Sequence, residues 1–336
     1  MSLSISNRRY TGSKKMLLND IYESVKKYCK NKATFADLFA GTGVVSLFML
    51  EKGMDVIAND TLLSNCVAYE AWFGKGKFSK KKLEKIITQF NLIDGNKLKD
   101  NYFSKTYGHK YFSLSDAKKI GYLREQIENE KLTKREKNIL LASLMYATDK
   151  IANTVGHFEH YLSQKPKDKG VILKFPSIEH FKGLATIYNE DANKLVKKIV
   201  CDIAYIDPPY NARQYVNFYH VLENLIRWNK PTEFEGISMK FKRNHLKSDY
   251  SKSKAPQVFA DLIESLKAKI IVVSYNNTYT AKSSASNNKI SEKELFKILS
   301  LKGKVEIKEI KHKSFNSGKT NFADHKEKLY ICKTNL

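Results

Sequence analysis

Short apolar runs alternate with stretches of helical spacing over two separate parts of the chain, residues 33–72 and 184–336. In the first part, residues 33–39 predict a strand, 40–43 a turn of small residues, and 44–51 the start of a helix. Residues 54–58 predict a second strand ending in Asn59-Asp60, and 62–73 a second helix. Strand, crossover helix and strand in this order make a right-handed parallel unit. In the second part, 185–188 read as a strand and 191–198 as a helix. Residues 199–206 are apolar apart from Asp202 and stop at Asp207-Pro208-Pro209-Tyr210, since consecutive prolines end a central strand. Residues 215–228 carry Phe218, Val221, Leu222, Leu225 and Ile226 at helical spacing. A helix over 259–266, a buried strand over 269–274 and a helix over 291–299 follow. Residues 305–310 and 328–332 predict an antiparallel hairpin around a basic loop, 311–326.

Residues 73–183 have a different texture, rich in lysine and helical in pattern. Ile139, Leu140, Leu144, Ala147 and Ile151 form a packing stripe over 136–151. The segment reads as an inserted helical subdomain. Its run of Lys75, Lys77, Lys80, Lys81, Lys82 and Lys85 reads first as a solvated face.

Composition then narrows the classes of function. The 336 residues contain 59 Lys and Arg against 35 Asp and Glu, a net charge of +24, which argues for a polyanionic partner, most simply nucleic acid. No stretch approaches the roughly 20 apolar residues of a membrane span. Residues 1–19 lack the apolar core of a signal peptide. Cys29, Cys66, Cys201 and Cys332 are scattered, so neither a disulfide framework nor a zinc site is expected, and a cytoplasmic setting fits. His157 and His160 are three apart with no third ligand in pattern, and no metal is expected.

Two turns carry candidate chemistry. Asp37-Leu38-Phe39-Ala40-Gly41-Thr42-Gly43 joins a strand to a helix, where glycine permits close approach to the backbone and a helix N-terminus is electropositive. It lacks the third glycine of the dinucleotide fingerprint and the Gly-Lys-Ser/Thr of a phosphate loop. Asp60 ends the next strand, where an acid can accept from both hydroxyls of a ribose; a helix cap is the alternative. The pair reads as a site for an adenosine-like cofactor. Asp207 to Tyr210 is delivered to the carboxyl end of a parallel strand, where open α/β sheets bind ligands. A carboxylate, backbone carbonyls that prolines leave free and an aromatic ring suit a planar amine. A proline-stabilised turn is the plain alternative.

In these segments, and in Arg9-Tyr10-Thr11-Gly12-Ser13-Lys14, the chain resembles the S-adenosylmethionine-dependent adenine-N6 DNA methyltransferases of the alpha arrangement, restriction-modification type. The order matches as well: N-terminal motif, glycine motif, long recognition segment, catalytic motif. The continuation Asn211-Ala212-Arg213-Gln214-Tyr215, then Tyr219-His220 and Leu222-Glu223, resembles a restriction-modification subset. The resemblance implies a Rossmann-like α/β methyltransferase fold with a mixed seven-stranded sheet, formed by residues 1–72 and 184–336, and a helical target-recognition insertion, 73–183. It implies S-adenosylmethionine as cofactor, with Tyr10, Gly12, Lys14, Asp37, Phe39, Gly41, Gly43, Asp60 and Asp191 around it. It makes Asp207, Pro208, Pro209 and Tyr210 the catalytic residues.

The implied reaction is methylation of adenine N6 in duplex DNA. The exocyclic amine is a weak nucleophile, so a carboxylate and a carbonyl accepting its hydrogens would stabilise the charge that develops. The base must leave the duplex to be reached. Arg213, Tyr215, Lys240, Lys242, Arg243 and Lys247 are candidate DNA contacts, with the loop 311–326 as a second basic element. Asn153, His157, His160, Gln164 and Lys165 are candidate base readers, and Tyr215 and Tyr219 are candidate exceptions to an aromatic content that is otherwise core. A monomer is expected, together with a cognate endonuclease acting on the same site without forming a complex, and no membrane partner. RNA adenine-N6 methylation, and a non-catalytic nucleic-acid-binding protein on the same fold, are the competing readings.

Overall fold

The computed structural model describes residues 3–29, 32–278, 286–311 and 326–335. Its sheet strands are β1 (Thr34–Asp37), β2 (Asp55–Asn59), β3 (Ala185–Tyr188), β4 (Val200–Ile206), β7 (Lys267–Asn276), β8 (Gly303–Lys311) and β9 (Lys326–Thr334), and β5 (Phe234–Glu235) with β6 (Lys240–Phe241) makes a separate small hairpin. The seven strands lie in the order β3-β2-β1-β4-β7-β9-β8. The first five are parallel, and β9 runs antiparallel to both β7 and β8. This is the mixed seven-stranded α/β sheet of the methyl-transferring fold that the resemblance implies.

Around it lie α1 (Leu18–Lys26), α2 (Val44–Glu51), α3 (Leu63–Phe73), α4 (Lys80–Asn91), α5 (Tyr102–Tyr107), α6 (Leu114–Asn129), α7 (Lys134–Ile151), α8 (Ala192–Leu195), α9 (Tyr215–Arg227), α10 (Ala255–Ser265) and α11 (Glu292–Ser300). Strand alternation splits the core in two. Phe35, Val56, Ala58, Tyr205 and Val272 face one side and pack with α2, α3, α7 and α9. Leu38, Ala204, Ile206, Ile271 and Val273 face the other and pack with Phe259 and Leu262 of α10 and Leu295 and Leu299 of α11.

The boundaries differ from the sequence expectation in three informative places. The helix expected over 191–198 is one turn, α8, because the chain must enter β4 at Val200. The helix expected from 259 starts at Ala255, with Pro256 in its first turn, where the missing N–H has no partner to lose. The strand expected over 269–274 runs to Asn276, because β9 pairs with it as far as Asn276 opposite Glu327. The stripe expected over 136–151 is α7. It is buried on nearly every side between α3 and α9, so this part of the segment 73–183 shares the core on one face of the seven-stranded sheet.

The strand order reverses between β1 and β4, and both turns of interest lie at that reversal, on the carboxyl edge. The acid turn beside them is held by Glu223 of α9. Its fully buried carboxylate accepts from Leu63 N at 3.0 Å and Ser64 N at 2.9 Å, and Arg227 Nε donates to it at 2.6 Å. No helix among the described residues is long and apolar enough to cross a membrane.

Removing Glu223 leaves two helix-end amides and the Arg227 guanidinium without their acceptor. Glu223→Ala is expected to lower stability by about 3–5 kcal/mol in urea unfolding. A loss below about 1 kcal/mol, the level of an exposed ion pair, would show that this buried contact does not hold α3 in place.

Candidate active site

A cleft of about 510 Å³ opens at the strand-order reversal. Tyr10, Gly12, Lys14, Asp37, Phe39, Gly41, Asp60, Asp191, Asp207 and Pro209 all line it, although they come from widely separated parts of the sequence. Asp37 ends β1. Its Oδ2 accepts from Ser46 Oγ at 2.8 Å, while its Oδ1 has no hydrogen-bond partner. Burial pushes its carboxyl up to about 7. Gly41 has φ +54°, and a Cβ there would stand 3.2 Å from the Tyr10 ring. An orphaned acceptor beside a turn that only glycine lines without crowding fits a ligand that brings an ammonium and lies close to the backbone.

Asp60 serves the turn and the cleft together. Its Oδ2 accepts from Gly41 N at 3.0 Å and its Oδ1 from Leu62 N at 2.8 Å, so it closes the turn that leads into α3 and ties that turn to the glycine turn; it does not cap the helix itself. Burial raises it to about 6 against these hydrogen bonds. A carboxylate has about four acceptor positions, so lone pairs remain for a ribose. Asp191 caps α8 through Lys194 N at 3.2 Å and is exposed at the cleft. Gly43 departs from the expectation. It does not line the cleft, and its φ of +77° starts α2 against Tyr69, whose ring lies 2.7 Å from where a Cβ would stand.

The Asp207 turn is held by charge. Lys14 Nζ lies 2.9 Å from Asp207 Oδ1 and 3.3 Å from Glu327 Oε1. The Tyr210 hydroxyl contacts Lys14 Nζ and Asp207 Oδ1, and lies 2.9 Å from Glu327 Oε1, which also accepts from Ser274 Oγ at 2.8 Å. Burial pushes the Asp207 carboxyl up despite Lys14. Burial acts on Glu327 in the same sense, but Lys14, Ser274 and Tyr210 outweigh it and hold Glu327 below its ordinary value. Burial pulls the Lys14 ammonium down, and the two carboxylates overcome that and raise it. Pro208 is buried and Tyr210 half-buried, and neither lines the cleft. The Tyr210 ring packs edge-on to Tyr275 at 4.8 Å.

Several residues expected to touch DNA are placed elsewhere. Arg243 is 5% exposed, and its guanidinium is taken by Asn217 Oδ1, Glu235 and the Phe241 carbonyl, so it secures the β5–β6 hairpin. Lys247 lines the cofactor-side cleft with His245, Leu246, Ser248 and Tyr250. The stretch 245–250 that follows Arg243 therefore lines the cleft, fastened by the Gln214 side chain to Ser248 at 2.7 and 2.9 Å and by Tyr250 edge-on to Phe39 at 5.1 Å. Tyr215 lines the cleft and stacks on Tyr10 at 5.6 Å. Tyr219 is core: fully buried, stacked on Tyr10 at 4.6 Å, with its hydroxyl accepting from Thr11 N at 2.8 Å. Asn153 is 6% exposed and donates to the carbonyls of Lys110, Leu162 and Gln164, so it braces its own loop. Arg213 is exposed, Lys242 is exposed beside Glu233, and Lys240 is half-buried. His157 stacks on Phe218 at 4.7 Å, while His160, Gln164 and Lys165 remain on the surface. Most of the loop 311–326 lies outside the described residues.

Glu327 and Ser274 are the participants that sequence reasoning missed. An acid before the apolar run from Leu329 to Cys332 is a faint signal, and its partner Tyr210 is 117 positions away.

A family model described as the D12 class N6 adenine-specific DNA methyltransferase matches residues 10–314. The chain is 36% identical over 340 residues to the modification methylase StsI of Streptococcus sanguinis, an alignment covering 95% of this chain and 50% of that protein. It is 31% identical over 329 residues to the type II methyltransferase M.NlaIII of Neisseria lactamica, covering 94% of this chain and 95% of that one. It is also 31% identical to the type II methyltransferase M.CviAII of Paramecium bursaria Chlorella virus 1, covering 92% of each. The chain thus spans about half the length of StsI and nearly all of the other two. With the matched segment running from Tyr10 past both turns of the cleft, the chain belongs to the D12 class N6 adenine-specific DNA methyltransferase family.

Proposed function

We propose that the protein transfers a methyl group from S-adenosylmethionine to the N6 amine of adenine in a short duplex DNA site, as the modification enzyme of a restriction-modification system. The observation that carries this reading is that Asp207 and the glycine turn open on one cleft. The cofactor, when bound, supplies a methyl group already activated on a sulfonium centre. The residues of the chain then position and balance charge. Asp37 Oδ1 would take the cofactor's ammonium, Gly41 and Phe39 its methionine part, Asp60 its ribose and Asp191 its adenine edge.

Asp207 accepts one hydrogen of the target amine and the Pro208 carbonyl the other. This favours pyramidal nitrogen and stabilises the positive charge that grows on it. The nitrogen becomes acidic once it is alkylated, so Asp207 can take its proton without being a strong base. Tyr210, held by its hydroxyl beside Asp207, would stack on the base. The base reaches the site by leaving the duplex, at about a few kcal/mol. Arg213, Lys240 and Lys242 supply phosphate contacts, within a chain whose net charge is +24. The segment 73–183 carries target recognition, with His157, His160, Gln164 and Lys165 as readers. The protein works as a monomer beside a separate endonuclease specific for the same site.

Radiolabelled methyl transfer to unmethylated genomic DNA and to total RNA, run in parallel, tests the reading. Label is expected in DNA as N6-methyladenine, reduced about 10²- to 10³-fold or more in Asp207→Ala. Label confined to RNA would replace the DNA substrate, and label in neither would favour a binding protein.

The Asp37 carboxyl gives a second test. Its raised value means that the folded protein holds a proton which the unfolded chain has released, so its contribution to stability is lost between pH 4 and its folded value of about 7. Ionised Asp37 attracts the cofactor ammonium, whose ordinary value is about 7.7–8.0. Affinity for S-adenosylmethionine is therefore expected to rise from pH 5.5 to a maximum between about 7 and 8 in calorimetric titration, and Asp37→Asn should remove the step near 7. A wild-type profile flat from pH 5.5 to 8 would remove Asp37 from the cofactor's ammonium.

A further inference from the structure

Residues 243–251 have little structure of their own. They contain only two single helical turns, Asn244–Leu246 and Asp249–Ser251. Yet His245, Leu246, Lys247, Ser248 and Tyr250 line the same cleft as Asp37, Asp60 and Asp207. A stretch with so few internal hydrogen bonds keeps its place through contacts to other elements.

Those contacts reach three sides of the cleft. The buried Tyr250 ring lies edge-on to Phe39 of the glycine turn at 5.1 Å, and its hydroxyl donates to Asn193 Oδ1 of α8 at 2.8 Å. The third side is the segment that follows the catalytic turn. There, Gln214 Nε2 donates to the Ser248 carbonyl at 2.9 Å, and Gln214 Oε1 accepts from Ser248 N at 2.7 Å. Beside this pair, Ser251 Oγ donates to the Arg213 carbonyl at 3.1 Å.

The Gln214 amide thus satisfies both backbone groups of one residue, as a neighbouring strand would. Only a primary amide side chain carries the donor and the acceptor that this needs at neutral pH; a carboxylate has no proton to give and a hydrocarbon offers neither group. Gln214 also stands where the two halves of the reaction meet. It lines the cleft between the catalytic turn and Tyr215, and Arg213 N donates to Asn211 Oδ1 at 3.1 Å, which closes the short link back to Tyr210.

We propose that Gln214 is a positioning residue for the cofactor: its amide holds the wall formed by 245–250 in register with the catalytic turn, and so sets the cofactor cleft against the amine site. The inference rests on the methyltransferase reading above. It gives a role to a side chain that the methyl transfer itself does not use.

The test is calorimetric titration of the full chain with S-adenosylmethionine, alongside steady-state methylation of duplex DNA. Gln214→Ala is expected to raise cofactor Kd about 5- to 30-fold, the scale of two lost hydrogen bonds, with kcat at saturating cofactor lowered by less than Kd is raised. Ser251→Ala, which removes only the neighbouring bond, should raise Kd about 2- to 5-fold, and it provides the reading if the first variant does not fold. Gln214→Glu adds a pH signature. An ionised carboxylate would face the Ser248 carbonyl acceptor to acceptor, whereas a protonated one can donate to it, so the new acid should titrate above its ordinary value of about 4.3. Its Kd relative to wild type should therefore be worst near pH 8 and improve towards about pH 5, while the ratio for Gln214→Ala stays flat. His245, Lys247, Asp249 and Arg213 flank the pair in every form, and taking the ratio to wild type at each pH removes their contribution and that of Asp37. Kd within about twofold of wild type in both Gln214 variants, a lower melting temperature with Kd unchanged, or a Gln214→Glu ratio that does not improve on acidification would overturn the proposal while leaving the activity standing. Wild-type protein that binds no S-adenosylmethionine would instead remove the functional reading, and this proposal with it.

Discussion

Lys14 lies near the N-terminus, Asp207 at the end of β4 and Glu327 at the start of β9, and one buried ammonium joins all three. Attraction between buried charges is strong because little water screens it, but each charge also loses its hydration, so the cluster is stable only as a set. The segment around Tyr10 has little secondary structure of its own. Its place against the sheet comes from this ion cluster, from Tyr10 stacking on Tyr219, and from the Asp149 carboxylate accepting from Arg9 N at 3.0 Å. The cleft depends on that docking, since Tyr10, Gly12 and Lys14 form one wall of it.

The remaining walls follow from sheet topology. A parallel sheet whose strand order reverses leaves a crevice between the two diverging crossovers. The glycine turn and the Asp207 turn occupy the two sides of this crevice. The added strand β9 brings Glu327 to the back of it, and the stretch 245–250 lines it. Two acids do double service. Asp60 fastens the turn ahead of α3 and lines the cleft, and Asp191 is helix cap and cleft rim. At such positions the structural and functional readings of an acid are not alternatives, because a carboxylate has acceptor positions for both.

Three buried polar residues show why charge and motif alone are poor guides to a surface. Asn153, Arg243 and Tyr219 are residue types that contact nucleic acid readily, and all three are buried in contacts of their own. Arginine in particular is spent inside the protein wherever its five donors find acceptors, as Arg243 does at the hairpin and Arg124 does at the Leu225 and Ile226 carbonyls. The basic character of the chain therefore resides largely in lysines, whose ammonium groups stay at the surface more readily than a planar guanidinium.

The sequence by itself determined the periodicities, and with them the strands and helices whose apolar faces could be buried in only one way. It also determined the two turns, since glycine at positive φ and paired prolines act through local backbone sterics. From those, the parallel unit, the closing hairpin and the residues Asp37, Gly41, Asp60 and Asp207 were legible. Tertiary structure alone decided that Gly43 serves Tyr69, that the loop after β6 lines the cleft, and that Arg243, Asn153 and Tyr219 face inward. It alone brought Glu327 to Lys14 and Tyr210, because a buried ion cluster forms between residues hundreds of positions apart and has no period, no spacing and no local backbone preference to announce it.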